Sequence, residues 1–266
     1  MTGAFDDVRS PEARFLHEAS RLGELHVALW SDEVVRAVTG RPPKFPAEER
    51  KYLLEAFRYV GTVGMMARRM EAGEVPAVDG RAPDVWAVRE GSETAQAQAA
   101  CAKRGMAYEV IGARDLAGFP EPEAWPEAGK RPSLVVTGCY DWLHSGHIRF
   151  FEEVSGLGEL IVVLGHDANV LKLKGEGHPL YPQAERRYMV ASVRHVSRAL
   201  VSTGWGWLDA EPEIDLMKPD MYAVNEDGDK PEKRAFCESR GIRYVVLKRT
   251  PREGLPRRSS TDLRGF

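Results

Sequence analysis

The chain has 266 residues, 43% of them hydrophobic, with 37 Lys and Arg against 40 Asp and Glu for a formal net charge of −3. This length suits one large domain or two ordinary ones, with enough apolar content for packed cores. Near-balanced charge disfavours a general nucleic-acid binder, and no apolar run approaches the length of a membrane span.

The N-terminus carries Asp6, Asp7, Arg9 and Glu12 without a signal-peptide core. Cys101, Cys139 and Cys237 show no metal-ligand spacing and cannot all pair. Both features predict a soluble protein of a reducing, cytoplasmic compartment. Thr2-Gly3-Ala4-Phe5-Asp6 opens a pattern that returns 135 residues later as Thr137-Gly138-Cys139-Tyr140-Asp141. The register runs through Arg14 and Arg149, Phe15 and Phe150, and Glu18 and Glu153, and reaches Asp32 and Asp167. After one inserted residue it resumes with Phe45-Pro46 and Tyr181-Pro182, then Glu49-Arg50 and Glu185-Arg186. It continues from Pro83 and Pro219 through Cys101 and Cys237 to Arg104-Gly105 and Arg240-Gly241. A register this long with a single gap predicts an internal repeat. Residues 119–132, rich in Pro, Gly and charge, read as the linker. The expected division is therefore 1–118, a linker over 119–132, and 133–266.

In the second copy, strands are predicted near 133–137, 159–165, 220–225 and 243–248, and helices near 145–156, 182–195 and 230–241. Runs such as Leu160-Ile161-Val162-Val163-Leu164 suit a parallel sheet covered on both faces. The predicted fold is α/β, with two tandem doubly wound, Rossmann-like parallel-sheet domains related by the repeat. Ligands are then expected at the carboxyl ends of the strands.

The most informative stretch follows the first strand of the second copy. Gly138, Tyr140, Asp141, His144, Gly146 and His147 fall at a strand-to-helix turn, with Ile148, Phe151, Val154 and Leu157 at helical spacing beyond it. Free amides and the helix dipole favour anions at such a turn. Gly138 and Gly146 are expected to let a bulky ligand approach the backbone. Two imidazoles three residues apart face the same way and can hold the phosphates of a nucleoside triphosphate.

This stretch resembles the G-x-(F/Y)-D-x-x-H-x-G-H signature of the cytidylyltransferase-like nucleotidyltransferases, and the resemblance covers essentially residues 133–264. It implies transfer of a nucleotidyl group from a nucleoside triphosphate to a phosphorylated alcohol, with release of pyrophosphate. It casts His144 and His147 as the grip on the triphosphate, and Lys174, just before Gly175, as a phosphate ligand. Lys172 is either a second ligand or a solvated charge. Asp141 either contacts ligand or caps the turn. Arg186 either binds phosphate or forms a structural ion pair. Arg249 with Ser259, Ser260 and Thr261 resembles the family's closing R-T-x-G-I-S-T element, stretched here by residues 251–256. Asp227 stands in the base-recognition segment, to bind base, ribose or metal or to act as a turn acid. Trp142, Trp205, Trp207 and Tyr222 are either a cage for a cationic alcohol or packing. Mg²⁺ is expected to arrive with the nucleotide, with no all-protein metal site.

At matching positions the first copy has Arg9 for His144, Pro11 for Gly146, Glu12 for His147 and Thr39 for Lys174. A carboxylate in place of an imidazole repels a polyphosphate. The expectation is one live copy and one degenerate copy, forming an intramolecular pseudo-dimer. The tandem layout resembles that of ethanolamine-phosphate cytidylyltransferases, which favours CTP and a phosphoalcohol. The alternatives are an adenylyltransferase acting on a sugar phosphate or related phosphate, and a regulatory nucleotide-binding protein without catalysis. A class I aminoacyl-tRNA synthetase shares a His-x-Gly-His motif, but the lysine-rich second signature and a tRNA-binding domain are missing.

Overall fold

A computed structural model describes residues 1–71, 73–78, 80, 82–121 and 131–263. The chain divides into two compact units, Met1–Gly118 and Phe119–Phe266. The first unit runs β1 (Thr2–Gly3), α1 (Ser10–Ser20), β2 (His26–Trp30), α2 (Asp32–Thr39), α3 (Ala47–Glu55), β3 (Thr62–Met66), β4 (Val85–Arg89), α4 (Ala95–Arg104) and β5 (Ala107–Ile111). The second begins β6 (Ser133–Gly138), α5 (Ser145–Ser155), β7 (Glu159–Leu164), α6 (Asp167–Lys174), α7 (Gln183–Ala191) and β8 (Arg198–Val201). A 3-10 turn (Gly206–Leu208) and α8 (Glu211–Met217) lead to β9 (Met221–Asn225), a second 3-10 turn (Glu226–Gly228), α9 (Pro231–Ser239), β10 (Arg243–Leu247) and α10 (Ser260–Leu263).

Among the described residues the strand pairings are parallel. In the second unit the five strands lie in the order β10-β9-β6-β7-β8. The chain winds outward from β6 to β8, then crosses to β9 and β10 on the other side. The winding therefore reverses between β6 and β9, and a crevice opens beyond their carboxyl ends. Leu160, Val162 and Leu164 of β7 are fully buried, and Ile161 and Val163 nearly so, because both faces of the sheet are covered. On one face Val135, Ile161, Val163, Tyr222 and Val224 pack with Ile214 of α8 and Phe236 and Cys237 of α9. The alternate residues point to the opposite face, where α5 and α7 pack against β7.

The first unit departs from the expected single doubly wound sheet. Its strands form two sheets, β1-β2-β3 and β4-β5. In the second unit β6 meets β9 only through Leu134 to Met221 and Val135 to Tyr222. Among the described residues no helix lies between β3 and β4, where the second unit has α8. The expectation of two doubly wound domains is corrected to one continuous five-stranded sheet and one divided arrangement.

Two residues expected in the linker pack on the second unit. The Phe119 ring lies 5.7 Å from that of Tyr188, and Glu121 pairs with Arg187 at 2.5 Å. The rest of that segment, 122–130, lies outside the described residues. No helix is long and apolar enough to cross a membrane among the residues described.

Candidate active site

The turn between β6 and α5 is shaped by one tyrosine. Tyr140 has φ +50°, and its ring is buried against the end of β6. A Cβ on Gly138 would lie 2.9 Å from two carbons of that ring. The space at Gly138, expected to admit a ligand, is thus taken by Tyr140. Gly146 is bare for a similar reason: a Cβ there would meet the His144 ring at 3.0 Å and the Arg258 carbonyl at 3.4 Å. In the first unit Phe5 has φ +45°, and its ring lies 3.1 Å from where a Gly3 Cβ would be.

The two histidines do different work. His144 caps α5: its Nδ1 accepts a hydrogen bond from the Gly146 amide at 3.1 Å. An accepting Nδ1 leaves the ring proton of the neutral form on Nε2. The His147 ring stacks on His144 at 3.9 Å between centroids, and Tyr140 closes its other side edge-on at 5.3 Å. Burial first, then His144, Arg249 and Lys174, hold the His147 pKa well below the usual histidine value, against a hydrogen bond that the ring donates to the Trp142 backbone. His147 is therefore a neutral imidazole at pH 7. Such a ring can donate to a phosphate oxygen without carrying a charge. It lines the cleft, whereas His144 is 4% exposed and lies behind it.

Asp141 and Arg186 serve the backbone. Asp141 is buried, and its Oδ1 accepts from the amides of Leu180 and Tyr181 at 2.7 and 3.1 Å. His178 lies 3.4 Å from its other oxygen. Arg186, 1% exposed, donates to the carbonyls of Tyr181, Cys139 and Gly165 at 2.9, 2.7 and 2.8 Å and pairs with Asp167 at 2.7 Å. This placement commits the guanidinium to three carbonyls and one carboxylate, the contacts of a structural ion pair.

At the reversal point a cleft of about 210 Å³ is lined by Gly138, Tyr140, Asp141, Gly146, His147, Lys174, Asp227, Arg249 and Ser260. Lys174 arrives there as the last residue of α6, whose start is capped by His166 and whose end is set by Gly175 at φ +84°. Asp227 pairs with Arg249, which also donates to the Arg258 carbonyl at 2.9 Å. Arg249 borders a second, smaller recess with Arg149, Lys248, Arg257 and Arg258. Lys172 is not brought to the cleft; its Nζ sits 5.4 Å over the Trp205 ring. Ser259 is absent from the lining, and its carbonyl accepts from Leu263 at 3.2 Å. The side chain of Thr261 lies outside the described residues.

The four aromatic residues form no cage at the cleft. Tyr222 is core, bonded to Thr137 at 2.6 Å, while Trp205 and Trp207 are 57% and 70% exposed. Thr137, Cys139, Phe150, Ala223, Val224, Asn225, Gly228 and Lys233 also line the cleft, and the sequence assigned them no site role. Phe150 was visible only as a member of the repeat, and Lys233 only as one charge in a charged helix start.

Among the described residues, no group of three or more His, Cys, Asp or Glu is set to hold a metal ion. The cleft's carboxylates are committed, Asp141 to amides and Asp227 to Arg249. A Mg²⁺ carried in on a triphosphate would take its oxygen ligands chiefly from the phosphates.

The equivalent residues of the first unit are tied to one another. Glu12 accepts from its own helix start, the Arg9 amide, at 3.0 Å and pairs with Arg89 at 3.4 Å. Arg9 pairs with Asp7 at 2.6 Å.

A strand-to-helix turn bearing stacked histidines, with lysine and arginine converging at a parallel sheet's reversal point, is the arrangement of a nucleotidyltransferase-like protein. The cytidylyltransferase-like family model matches residues 135–265, and the chain belongs to that family. Its relatives include an FAD synthase of Aciduliprofundum boonei, 32% identical over 135 residues, which are 50% of this chain and 83% of that one. A bifunctional protein HldE of a Nitratiruptor species is 34% identical over 101 residues, 37% of this chain. The match spans only 21% of that HldE. A lipopolysaccharide core biosynthesis protein of Thermoplasma volcanium, of known structure, is 25% identical with a TM-score of 0.39, over 44% of this chain and 97% of that one.

Proposed function

We propose that residues 133–266 transfer a nucleotidyl group from a Mg²⁺-bound nucleoside triphosphate to a phosphate monoester. An oxygen of the acceptor phosphate bonds to the α-phosphorus, the bond to the bridging oxygen breaks, and pyrophosphate leaves. The observation that carries this reading is the convergence of His147, Lys174 and Arg249 on one cleft at the reversal of the sheet. His147, kept neutral by burial, donates to the α-phosphate as negative charge builds there. Lys174 and Arg249 supply full charges for the polyphosphate. His144 positions His147 by stacking and fixes the start of α5. Asp141 and Arg186 hold the loops that carry these groups. Ser260 adds a hydroxyl at the cleft. Mg²⁺, when bound with the nucleotide, neutralises the leaving pyrophosphate.

The first unit is assigned a non-catalytic role within the repeat, because Glu12 would meet phosphate where His147 stands. Two nucleotides compete. The tandem layout favours CTP with a phosphoalcohol. The likeness to FAD synthases favours ATP, since FAD carries an adenylyl group. That likeness spans 83% of the Aciduliprofundum boonei FAD synthase, so ATP is placed first and CTP second. A pyrophosphate-release screen crossing four nucleoside triphosphates with phosphorylated alcohols, sugar phosphates and FMN tests both. ATP-dependent release is expected. Faster release with CTP across the panel restores the cytidylyl reading. Tight nucleotide binding without release for any pair turns the protein into a nucleotide sensor.

A further inference from the structure

One cation of the cleft has no role in the reading above. Lys233 stands in the first turn of α9, just past the end of β9, and lines the same cleft as His147 and Lys174. It is half-buried, and its Nζ lies 5.9 Å from the centre of the Tyr222 ring. Burial lowers its pKa, while Asp209 pulls the other way. No carboxylate holds it in an ion pair among the described residues. A partly desolvated ammonium without a fixed partner is costly unless a ligand supplies the charge.

Its direction of approach is the second observation. Arg249 is tied to the Arg258 carbonyl, which lies beside Gly146 at the start of α5. His147 and Arg249 therefore reach the cleft from the side that α5 covers. Lys233 reaches it over Tyr222, which belongs to the face packed with Phe236 and Ile214. In-line displacement puts the entering and leaving oxygens on opposite sides of phosphorus. A grip on the triphosphate from one side leaves the incoming phosphate to be met from the other.

The first unit supplies the third observation. At equivalent positions it has Glu12 for His147, Thr39 for Lys174, Ala113 for Arg249 and Ala97 for Lys233. Thr2, Phe15, Ala87 and Val88, by contrast, keep the identities of Thr137, Phe150, Ala223 and Val224 in the cleft wall. Lys233 is thus absent from the first unit, as are His147, Lys174 and Arg249.

We propose that Lys233 binds the attacking phosphate of the acceptor, across the cleft from the triphosphate grip, an assignment that rests on the nucleotidyl-transfer reading. The test uses the full chain and the variants Lys233→Met and Lys233→Arg, with thermal melts to show that each folds. Mg²⁺ with α,β-methylene-ATP and with α,β-methylene-CTP probes the nucleotide side. Methyl phosphate, titrated into the analogue-loaded protein and followed by ³¹P NMR, probes the acceptor side. Lys233→Met is expected to leave analogue affinity within about twofold and to weaken methyl phosphate about tenfold or more, the usual scale for one charge-assisted hydrogen bond. Lys233→Arg should recover part of that loss. Weaker analogue binding with methyl phosphate unchanged would overturn the proposal and move Lys233 to the nucleotide. So would two unchanged affinities, or a wild-type protein that binds an analogue but not methyl phosphate. Wild-type protein binding neither analogue nor methyl phosphate would overturn the transferase reading itself, and this assignment with it.

Discussion

In the first unit, Arg50 donates to the carbonyls of Ala4 and Phe45 and pairs with Asp32 at 2.7 Å; in the second, Arg186 does the same to Cys139, Tyr181 and Asp167. Asp6 accepts from the amides of Lys44 and Phe45, as Asp141 accepts from Leu180 and Tyr181. Glu90 accepts from the Ala113 amide and Glu226 from that of Arg249. These buried or backbone-directed contacts recur, while Lys174, Asp227, Lys233 and Arg249 of the second unit's cleft have no like charge at the matching positions. The difference separates two kinds of polar residue within one chain. Those that satisfy backbone groups persist because losing them strands buried donors and acceptors. Those that face an open cleft are dispensable to the fold.

The largest test of that separation is His147→Ala. Turnover on the best substrate pair should fall on the order of a hundredfold or more, as for loss of one preorganised donor. Nucleotide affinity should change far less, because the imidazole matters most as charge develops. Glu12→Ala at the matching position of the first unit should leave turnover per folded molecule unchanged. Steady-state kinetics beside equilibrium binding of a non-hydrolysable analogue checks both, and an active His147→Ala enzyme would remove the residue from the chemistry.

Next come the buried arginines, where the two units should respond alike. Arg50→Met and Arg186→Met each strand carbonyls that the guanidinium satisfies, at a cost of about 3 kcal/mol. Urea unfolding of the full chain should show the loss in each variant. A loss of activity in Arg186→Met with stability intact would instead make that arginine a phosphate ligand.

The glycines should discriminate more finely. Gly138→Ala puts a methyl group 2.9 Å from the Tyr140 ring, against 3.1 Å from Phe5 for Gly3→Ala. The Tyr140 ring is braced by His147 and Phe151, so it has little room to give. About 1–3 kcal/mol of overpacking is expected at Gly138, with lowered turnover through His147. The Gly3 variant should cost less and leave turnover alone. Melting curves and kcat measured on both variants test the ordering.

The smallest effect is one of pH. The unfolded chain takes up a proton on His147 below its ordinary value of 6.5, while the folded site resists protonation to much lower pH. Unfolded protein then binds more protons, so stability is full above pH 6.5 and falls as the pH drops below it. The slope from this group is at most about 1.4 kcal/mol per pH unit. His195, also lowered by burial, adds a slope of the same sign. Urea titrations between pH 5.5 and 7.5 should show that His147→Gln flattens the dependence without abolishing it. An unchanged slope would mean that His147 is charged in the fold.

Much of this was legible in the sequence, for identifiable reasons. β6, β7, β9 and β10 were visible as apolar runs because a sheet covered on both faces needs them. β8 (Arg198–Val201) is four residues long and begins on an exposed arginine, so its pattern carries little signal. The seven-residue α8 has only Ile214 buried, too little for a helical period. The division of the first unit's strands into β1-β2-β3 and β4-β5 is announced by no local pattern. At the site, spacing pointed to His144 and His147 and the family resemblance to Lys174, but which histidine caps and which faces the cleft is a matter of rotamer and stacking. Lys233 sits in Lys230-Pro-Glu-Lys-Arg234, which reads as a solvated helix start. Only its replacement by Ala97 at the repeat offset would have marked it.

The Arg186 guanidinium joins three stretches far apart along the chain, at Cys139, Gly165 and Tyr181. Such a tie fixes β6, β7 and the approach to α7 against one another. It also lets the cleft drift. Charges facing solvent can be exchanged one at a time with little effect on folding, whereas a change at the tie is felt immediately. A protein built this way can acquire a new substrate, or fall silent, through its lining alone.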